Sequence, residues 1–300
     1  MMCLQSRGYR HRRKAMPALR HRAAHFLLKK LGFFNRSYYE TAFGRRFKIP
    51  IVNGRKAYVS EPWMAEIIHE LFRLKDGAFI DVGVNLGQTM LKVAAINPLR
   101  SYLGFEPNPA CADYATELAA ANNLDFKVVP AGLGPETSVL DLQFYRDDDT
   151  DPSASLMEGF RPGAVRTKQV VVIALSDLPG NLIPETISIV KIDVEGGEAS
   201  VIEGIRTFLA HQRPFVLTEI LPAYSADNVA RVTRQQTVES ILAQHDYAMF
   251  RIRCDERERF LELVPIEEIG IQTDLANIDY LMAPAEDVPR LTAQFGRRSE

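Results

Sequence analysis

Two carboxylates follow an apolar run in the second half of the chain. The stretch VKIDVEGGEASVIEGI, residues 190–205, starts as a strand and ends with helical spacing, and Asp193 and Glu195 lie at the junction. Because unpaired buried acids are costly, a chemical role is favoured for both. At positions two apart on a strand, they are predicted to point to the same side. Asp193 is the candidate general base, Glu195 its partner or a ligand contact, and Glu219 at the next strand end a third candidate.

The other acids of this stretch have simpler interpretations. Gly196 and Gly197 break the strand and turn the chain into a helix. Glu198 falls in the first helical turn, where the helix dipole favours an acid, so it is expected to cap the helix. Glu203 is expected on a solvated helix face.

A glycine-rich turn lies more than a hundred residues upstream. The segment FIDVGVNLGQT spaces Asp81, Gly83, Asn85 and Gly87 two residues apart, after a short apolar strand and before a helix. Gly83 allows a tight turn with close approach of a ligand, and Asn85 tolerates left-handed backbone. Gly87 is expected to let the helix pack close to the strand. The dinucleotide fingerprint G-x-G-x-x-G is not met.

The next predicted strand ends in GFEPNP, residues 104–109. Glu106 stands where an acid hydrogen-bonds the two ribose hydroxyls of a nucleoside. Pro107 stiffens the loop, Asn108 is expected beside an adenine, and Asp81 can accept a hydrogen bond from a cationic amine. A ribose plus an amino group, with no phosphate for the helix, fits S-adenosylmethionine better than NAD.

These three motifs, in this order and spacing, resemble the FkbM family of S-adenosylmethionine-dependent methyltransferases over roughly residues 77–285. The resemblance implies a Rossmann-like fold, usually with a seven-stranded sheet and an antiparallel edge hairpin. It also implies O-methylation of hydroxyls, often on sugars or natural products, here of a saccharide, glycolipid or small metabolite. By this resemblance the turn with Asp81, Gly83, Asn85 and Gly87 would contact the methionine part, and Glu106 the ribose. From its place at the strand end, Asp193 is predicted to contact both cofactor and acceptor. Val84 departs from the alanine common there and is expected to tighten the pocket floor slightly.

For the chemistry that the resemblance implies, the acceptor hydroxyl is a poor acid and needs a base or a metal. The histidines lie outside the motifs, which favours a carboxylate base, although His69 or His245 can be brought in by folding. The same acids can instead bind a divalent cation, which the sequence does not specifically indicate.

The elements that must position these residues alternate regularly from about residue 57. Strands are predicted over 78–83, 101–106, 125–130, 139–145, 168–175, 187–194, 214–220, 247–253 and 278–284, and helices over 61–74, 89–96, 110–122, 198–210 and 228–245. This alternation predicts a doubly wound, mostly parallel α/β sheet. The predicted organisation is a basic extension over 1–56, one catalytic domain over 57–285 and a tail over 286–300.

Charge and composition narrow the function classes. Residues 1–39 hold ten Lys or Arg and no acid. Since the whole chain has a formal net charge of −2, the remaining residues have a net charge of −12. An acidic body argues against nucleic acid as substrate. The basic arm, with a short amphipathic helix over about 19–31, is compatible with contact to an anionic membrane surface. Three cysteines without C-x-x-C spacing indicate a reducing, cytoplasmic compartment, and the oligomeric state stays open.

Two other functions remain open at this stage. Asp147, Asp149 and Asp151 stand at alternate positions, which resembles the metal-binding D-x-D of nucleotide-sugar-dependent glycosyltransferases. A non-catalytic scaffold that keeps the cofactor-binding fold is the other alternative. It predicts no stabilisation by S-adenosylmethionine or S-adenosylhomocysteine, whereas a binding protein is stabilised by mass action.

Overall fold

The computed structural model describes residues 36–296, and the predicted helix near 19–31 lies outside them. The strands of this part of the chain are β1 (Arg36–Ala42), β2 (Arg45–Ile51), β3 (Ala78–Val82), β4 (Tyr102–Phe105), β5 (Lys127–Val129), β6 (Gly132–Gly134), β7 (Ser138–Phe144), β8 (Arg166–Ala174), β9 (Ile187–Ile192), β10 (Phe215–Glu219), β11 (Tyr247–Cys254), β12 (Phe260–Ile266) and β13 (Asp279–Pro284). Its α-helices are α1 (Pro62–Leu74), α2 (Gln88–Ile96), α3 (Pro109–Ala121), α4 (Glu198–Gly204), α5 (Arg206–His211), α6 (Val229–Gln244) and α7 (Val288–Gly296).

The main sheet has the order β12-β11-β13-β10-β9-β3-β4-β5. The five strands from β10 to β5 are parallel, and the strand order reverses between β3 and β9. This confirms the predicted doubly wound, mostly parallel α/β fold. In detail the sheet has eight strands, because β12 extends it beyond β11. The antiparallel strand β13 lies inside the sheet, between β10 and β11.

Helices cover both faces of the sheet. All six residues of β9 are buried, as expected for a parallel strand with a core on each side. One core holds apolar residues of α1, α2, α3 and α7, and the other holds those of α4, α5 and α6. The predicted helix over 198–210 is divided in two at Ile205.

The segment before residue 57, which we predicted to be an extension, includes a hairpin of β1 and β2 that packs on the first core. Phe47 and Ile49 are 0% and 1% exposed there. The Tyr114 hydroxyl donates to the carbonyl of Pro50 at 2.8 Å, which ties the hairpin to α3.

The predicted C-terminal tail includes α7, which packs on the same core. Leu291 is fully buried, and Phe295 makes an edge-to-face contact with Phe260. Residues 36–51 and 288–296 are therefore continuous with the predicted catalytic domain in their packing.

A separate three-stranded sheet, with the order β6-β8-β7, lies beside the carboxyl ends of the parallel strands. It carries the two strands predicted over 139–145 and 168–175, and its residues Leu140, Leu142 and Val172 line the pocket described below. Between residues 36 and 296, no helix combines the length and the apolar character needed to cross a bilayer.

Candidate functional site

A pocket opens at the switch point between β3 and β9, where ligands bind in doubly wound sheets. It encloses about 930 Å³, including the part open to solvent. The three sequence motifs and the small sheet all contribute to it. Of the predicted site residues, the pocket is lined by Gly83, Asn85, Glu106, Pro107, Asn108, Asp193 and Glu195.

Gly83 is needed because another strand end comes very close to it. Its φ is +87°, and a Cβ there would lie 1.9 Å from the carbonyl oxygen of Asp193. The group that approaches Gly83 so closely is the backbone of the chain itself, while its predicted contact with a ligand stays a prediction for a residue that lines the pocket. The amide of Asp193 also donates to the carbonyl of Val82 at 3.0 Å. At Gly83, the turn of FIDVGVNLGQT is thus in direct contact with the strand end of VKIDVEGGEASVIEGI.

Asn85 has the left-handed backbone that the sequence indicated, with φ of 50°. Gly87 is the N-cap of α2 with φ of 82°, and a Cβ there would meet Leu118 of α3 at 2.8 Å. Its role is therefore close packing between helices, where we predicted packing on the strand. Val84 does not line the pocket, because it packs over Gly104.

Glu106 is held in a fixed orientation at the end of β4. One carboxylate oxygen accepts the amide of Asn85 at 2.7 Å, and the other accepts the amide of Asn108 at 2.8 Å. Burial raises the pKa of Glu106 to about 7, and the two amides act against that rise. A carboxylate oxygen has a second acceptor site, so this buried acid is still able to accept two hydroxyls.

Asn108 links α3 to the acidic loop. Its Oδ1 accepts the amide of Ala110 as the helix N-cap, and its Nδ2 donates to the carbonyl of Asp149 at 2.7 Å. The amide thus holds the loop that closes one side of the pocket.

Asp81 is fully buried and lies behind the pocket wall. It accepts the Tyr102 hydroxyl at 2.6 Å, and its other oxygen lies 3.4 Å from Nζ of Lys191. We predicted that this acid receives the amine of a ligand, but in the structure the facing cation is Lys191. Burial raises the pKa of Asp81 above its ordinary value, while Lys191 counteracts the rise.

Lys191 is the residue that sequence reasoning missed. Its Nζ donates to the carbonyl of Gly83 at 2.9 Å and lies 3.3 Å from Asp193. Although burial acts to lower it, Asp81 and Asp193 raise the pKa of Lys191 above its ordinary value. The available signal was a single lysine in the otherwise nearly apolar strand ISIVKI.

Asp193 and Glu195 both line the pocket, but not by strand alternation. β9 ends at Ile192, and Glu195 has left-handed backbone with φ of 53°. The prediction of a strand to residue 194 was therefore wrong, since the chain already turns at Asp193. Glu195 pairs with Arg161 at 2.6 Å, and burial raises its pKa to about 7 despite that arginine.

Glu198 begins α4 and bonds backward along the chain. Its Oε1 accepts the amide of Gly196 at 2.8 Å, so it closes the turn before the helix and does not act as the N-cap itself. Burial raises its pKa to about 7. Glu203 is half-exposed and pairs with Arg206 at 2.9 Å.

Glu219 lies at a second, smaller cavity, which it shares with Lys191, Asp193 and Asp279. It stands opposite Asp279 in the register of β10 and β13. Burial, followed by repulsion from Asp193 and Asp279, raises the pKa of Glu219 to about 9. A pKa raised in this way favours the protonated acid, which does not suit the predicted role of a base. Of the three candidate acids, Asp193 alone borders both cavities.

The acidic loop is built for structure. Asp149 pairs with both Arg55 and Arg166 at 2.7 Å. Asp151 is buried, and its oxygens accept the backbone amides of Tyr145, Arg146 and Ser153. With Asp147 they form no converging set, and residues 36–296 contain no group of three His, Cys, Asp or Glu able to hold a metal. Asp149 and Asp151, two acids of the glycosyltransferase alternative, are thus engaged within the protein by arginines and backbone amides.

Comparisons with known proteins agree with the motifs. The chain matches the "Methyltransferase FkbM domain" family over residues 81–249. It is 28% identical over 152 residues to Methyltransferase 1 of Beauveria bassiana (strain ARSEF 2860). The alignment covers 43% of this chain and 59% of that protein. The chain thus aligns with less than two thirds of the length of this relative.

Two solved structures are distantly similar. The FkbM methyltransferase of Methylobacillus flagellatus KT has a TM-score of 0.42 and 14% identity, over 69% of this chain and 43% of that one. A putative O-methyltransferase from Klebsiella pneumoniae has a TM-score of 0.44 and 12% identity, over 76% of this chain and 82% of that one. The family match spans more than half of the residues of this chain, and the chain therefore belongs to the FkbM methyltransferase family.

Proposed function

We propose that this protein is an S-adenosylmethionine-dependent O-methyltransferase, which methylates a hydroxyl of a saccharide, glycolipid or small metabolite. The observation that carries the proposal is Glu106. It is a buried carboxylate, oriented by two backbone amides, in a pocket at the switch point of a sheet from this methyltransferase family.

The chain's residues fit such a cofactor. The free acceptor sites of Glu106 suit the two ribose hydroxyls, and the backbone of the turn at Gly83 and Asn85 lines the same pocket. When bound, S-adenosylmethionine would supply an electrophilic methyl group. Asp81 and Lys191, behind the wall, hold the two strand ends together and are assigned no ligand contact.

Asp193 is our proposed general base. It is the acid that borders both cavities, and its carboxylate is held by Lys191 at 3.3 Å. A hydroxyl placed beside it would transfer its proton to this carboxylate as the oxygen becomes a nucleophile. Glu195, fixed by Arg161 on the same pocket wall, is proposed to orient the acceptor.

A direct test combines binding with turnover. Calorimetry with S-adenosylhomocysteine should show saturable binding to the wild-type chain. A screen for transfer of a labelled methyl group to saccharide and lipid extracts, with and without a chelator, should find a hydroxyl acceptor. Absence of S-adenosylhomocysteine binding would overturn the proposal in favour of a non-catalytic scaffold. Loss of transfer with chelator alone would replace the carboxylate base with a metal.

A further inference from the structure

A third cavity lies on the other side of the turn that carries Glu195. It encloses about 290 Å³, including space open to solvent. Its walls come from four separate regions, namely the loop at Phe160, the turn and helix start from Gly196 to Ala199, the segment Ile220–Leu221 after β10, and α6. Phe160 packs so closely on Gly196 that a Cβ there would lie 2.4 Å from its ring. The cavity is thus built against the same turn that borders the proposed active site.

Three guanidinium groups surround the ring of Phe160. The Cζ atoms of Arg231, Arg161 and Arg234 lie 5.0, 5.4 and 5.6 Å from its centroid. Stacking on an aromatic face stabilises a guanidinium but leaves its in-plane N–H groups free to donate. Three like charges at one ring repel one another unless anionic groups compensate them.

The compensation inside the protein is incomplete. Arg161 pairs with Glu195 at 2.6 Å, whereas within residues 36–296 neither Arg231 nor Arg234 has a carboxylate within 4.0 Å. The guanidinium of Arg231 donates one hydrogen bond, to the carbonyl of Pro222 at 2.9 Å. Glu198 lines the same cavity and offsets part of the charge of Arg234, and its Oε1 accepts the amide of Gly196.

An unpaired neutral donor lines the same cavity. Gln235 is only 5% exposed, and its Nε2 is buried without a hydrogen-bond acceptor. A buried donor without a partner costs about 1–3 kcal/mol, so its persistence points to a ligand acceptor. The cavity is therefore lined by two guanidiniums and a buried amide N–H, all of which are hydrogen-bond donors.

We infer that Arg231, Arg234 and Gln235 form a binding site for an anionic oxygen group, a phosphate or carboxylate, carried by the methyl acceptor. Planar guanidinium forks match both groups in geometry and charge. The assignment of this anion to the acceptor rests on the function proposed above, because the cavity adjoins the turn of Glu195. The inference narrows the acceptor class to acidic saccharides, phosphorylated metabolites or anionic lipids with a free hydroxyl.

The anion site is tested without knowing the acceptor. Thermal unfolding of the full chain saturated with S-adenosylhomocysteine would be followed in sodium phosphate, sodium acetate and sodium chloride of equal ionic strength. We expect phosphate or acetate to raise the wild-type melting temperature above that in chloride. The double variant Arg231→Gln/Arg234→Gln should lose this rise, while Arg257→Gln, at an exposed arginine elsewhere, should keep it. An equal rise in the double variant, or none in the wild type, would refute the site.

Two further measurements separate the possible failures. Gln235→Leu keeps the arginines and removes the buried donor, so it should reduce the phosphate effect even if the double variant fails to fold. S-adenosylhomocysteine should bind all these variants with the affinity that it has for the wild type. If S-adenosylhomocysteine did not bind the wild type, the proposed function would be rejected, and the effect of the anions would still be measured.

Once an acceptor is found, the double variant should have a KM for that acceptor about tenfold higher or more, at nearly unchanged kcat. Equal KM values for wild type and double variant would show that the acceptor does not use the site.

Discussion

At the scale of single residues, the structure distinguishes acids that the sequence could only group. Glu106 and Asp193 line the main pocket, Asp81 lies behind it, and Glu219 belongs to a separate cavity. The sequence predicted that these strand ends meet, because parallel strands bring their carboxyl ends to one edge. It did not reveal Lys191, whose position between Asp81 and Asp193 depends on contacts across two strands.

The variant Glu106→Gln should bind S-adenosylhomocysteine about 10–100-fold more weakly, since hydrogen bonds to a charged group contribute about 1.5–3 kcal/mol. The amide also places a donor against a backbone N–H that now donates to Glu106. Calorimetry measures the change, with Glu117→Gln at an exposed position of α3 as the matched control. Unchanged affinity in Glu106→Gln would remove this residue from the cofactor site.

The variant Asp193→Asn should keep S-adenosylhomocysteine affinity within a few-fold and lower kcat about 10²–10⁴-fold, the usual contribution of a general base. The amide cannot accept a proton from the acceptor hydroxyl, but it fills the same space. Initial rates with a saturating acceptor, together with calorimetry, separate turnover from binding. If Asp193→Asn turned over as fast as wild type, the base would have to be another group.

At the scale of elements, the turn after β3 is where the glycine-rich motif contacts Asp193, directly after the end of β9. The positive φ of Gly83 was predictable from the turn, but the contact with the carbonyl of Asp193 was not, because it joins residues far apart in sequence. The β1–β2 hairpin was missed for a related reason. Its residues 36–51 overlap a basic, irregular segment, and their burial depends on α3.

The variant Gly83→Ala should lower the free energy of unfolding by more than about 2 kcal/mol, because its Cβ would collide with backbone that cannot easily move. Gly44→Ala is the matched control. Its φ is also positive, at 78°, but no atom lies within 4 Å of the added Cβ, so only the backbone cost of about 1–2 kcal/mol applies. Urea unfolding of both variants measures the difference. Equal losses would show that the contact with Asp193 relaxes freely.

At the scale of the whole molecule, buried acids determine how stability depends on pH. Four have a pKa raised by burial to about 7, namely Glu106, Glu195, Glu198 and Asp279, and that of Glu219 rises to about 9. In the unfolded chain their pKa values return to the ordinary 3.8 or 4.5. The folded state therefore binds more protons in this range, and stability falls as pH rises.

The variant Glu219→Gln should flatten this fall. In the wild type, the contribution of protonated Glu219 to the free energy of unfolding is fully present below a pH of about 4.5 and is lost as pH rises to about 9. Urea unfolding of the ligand-free chain between about pH 5 and about pH 9 should give a smaller loss for Glu219→Gln than for wild type. Glu117→Gln should follow the wild type. Parallel curves for Glu219→Gln and wild type would mean that Glu219 is ionised at neutral pH.

The sequence by itself determined the fold class, the family and the three motifs, because these depend on local periodicity, glycine positions and short-range spacing. Only the tertiary structure decided which acids share a pocket, that Lys191 faces Asp81, and that Glu219 lies opposite Asp279 in another cavity. It also brought Arg161, Arg231 and Arg234 together around Phe160, from segments some seventy residues apart. Burial and charge pairing arise from long-range packing, and no local pattern in a single sequence encodes them.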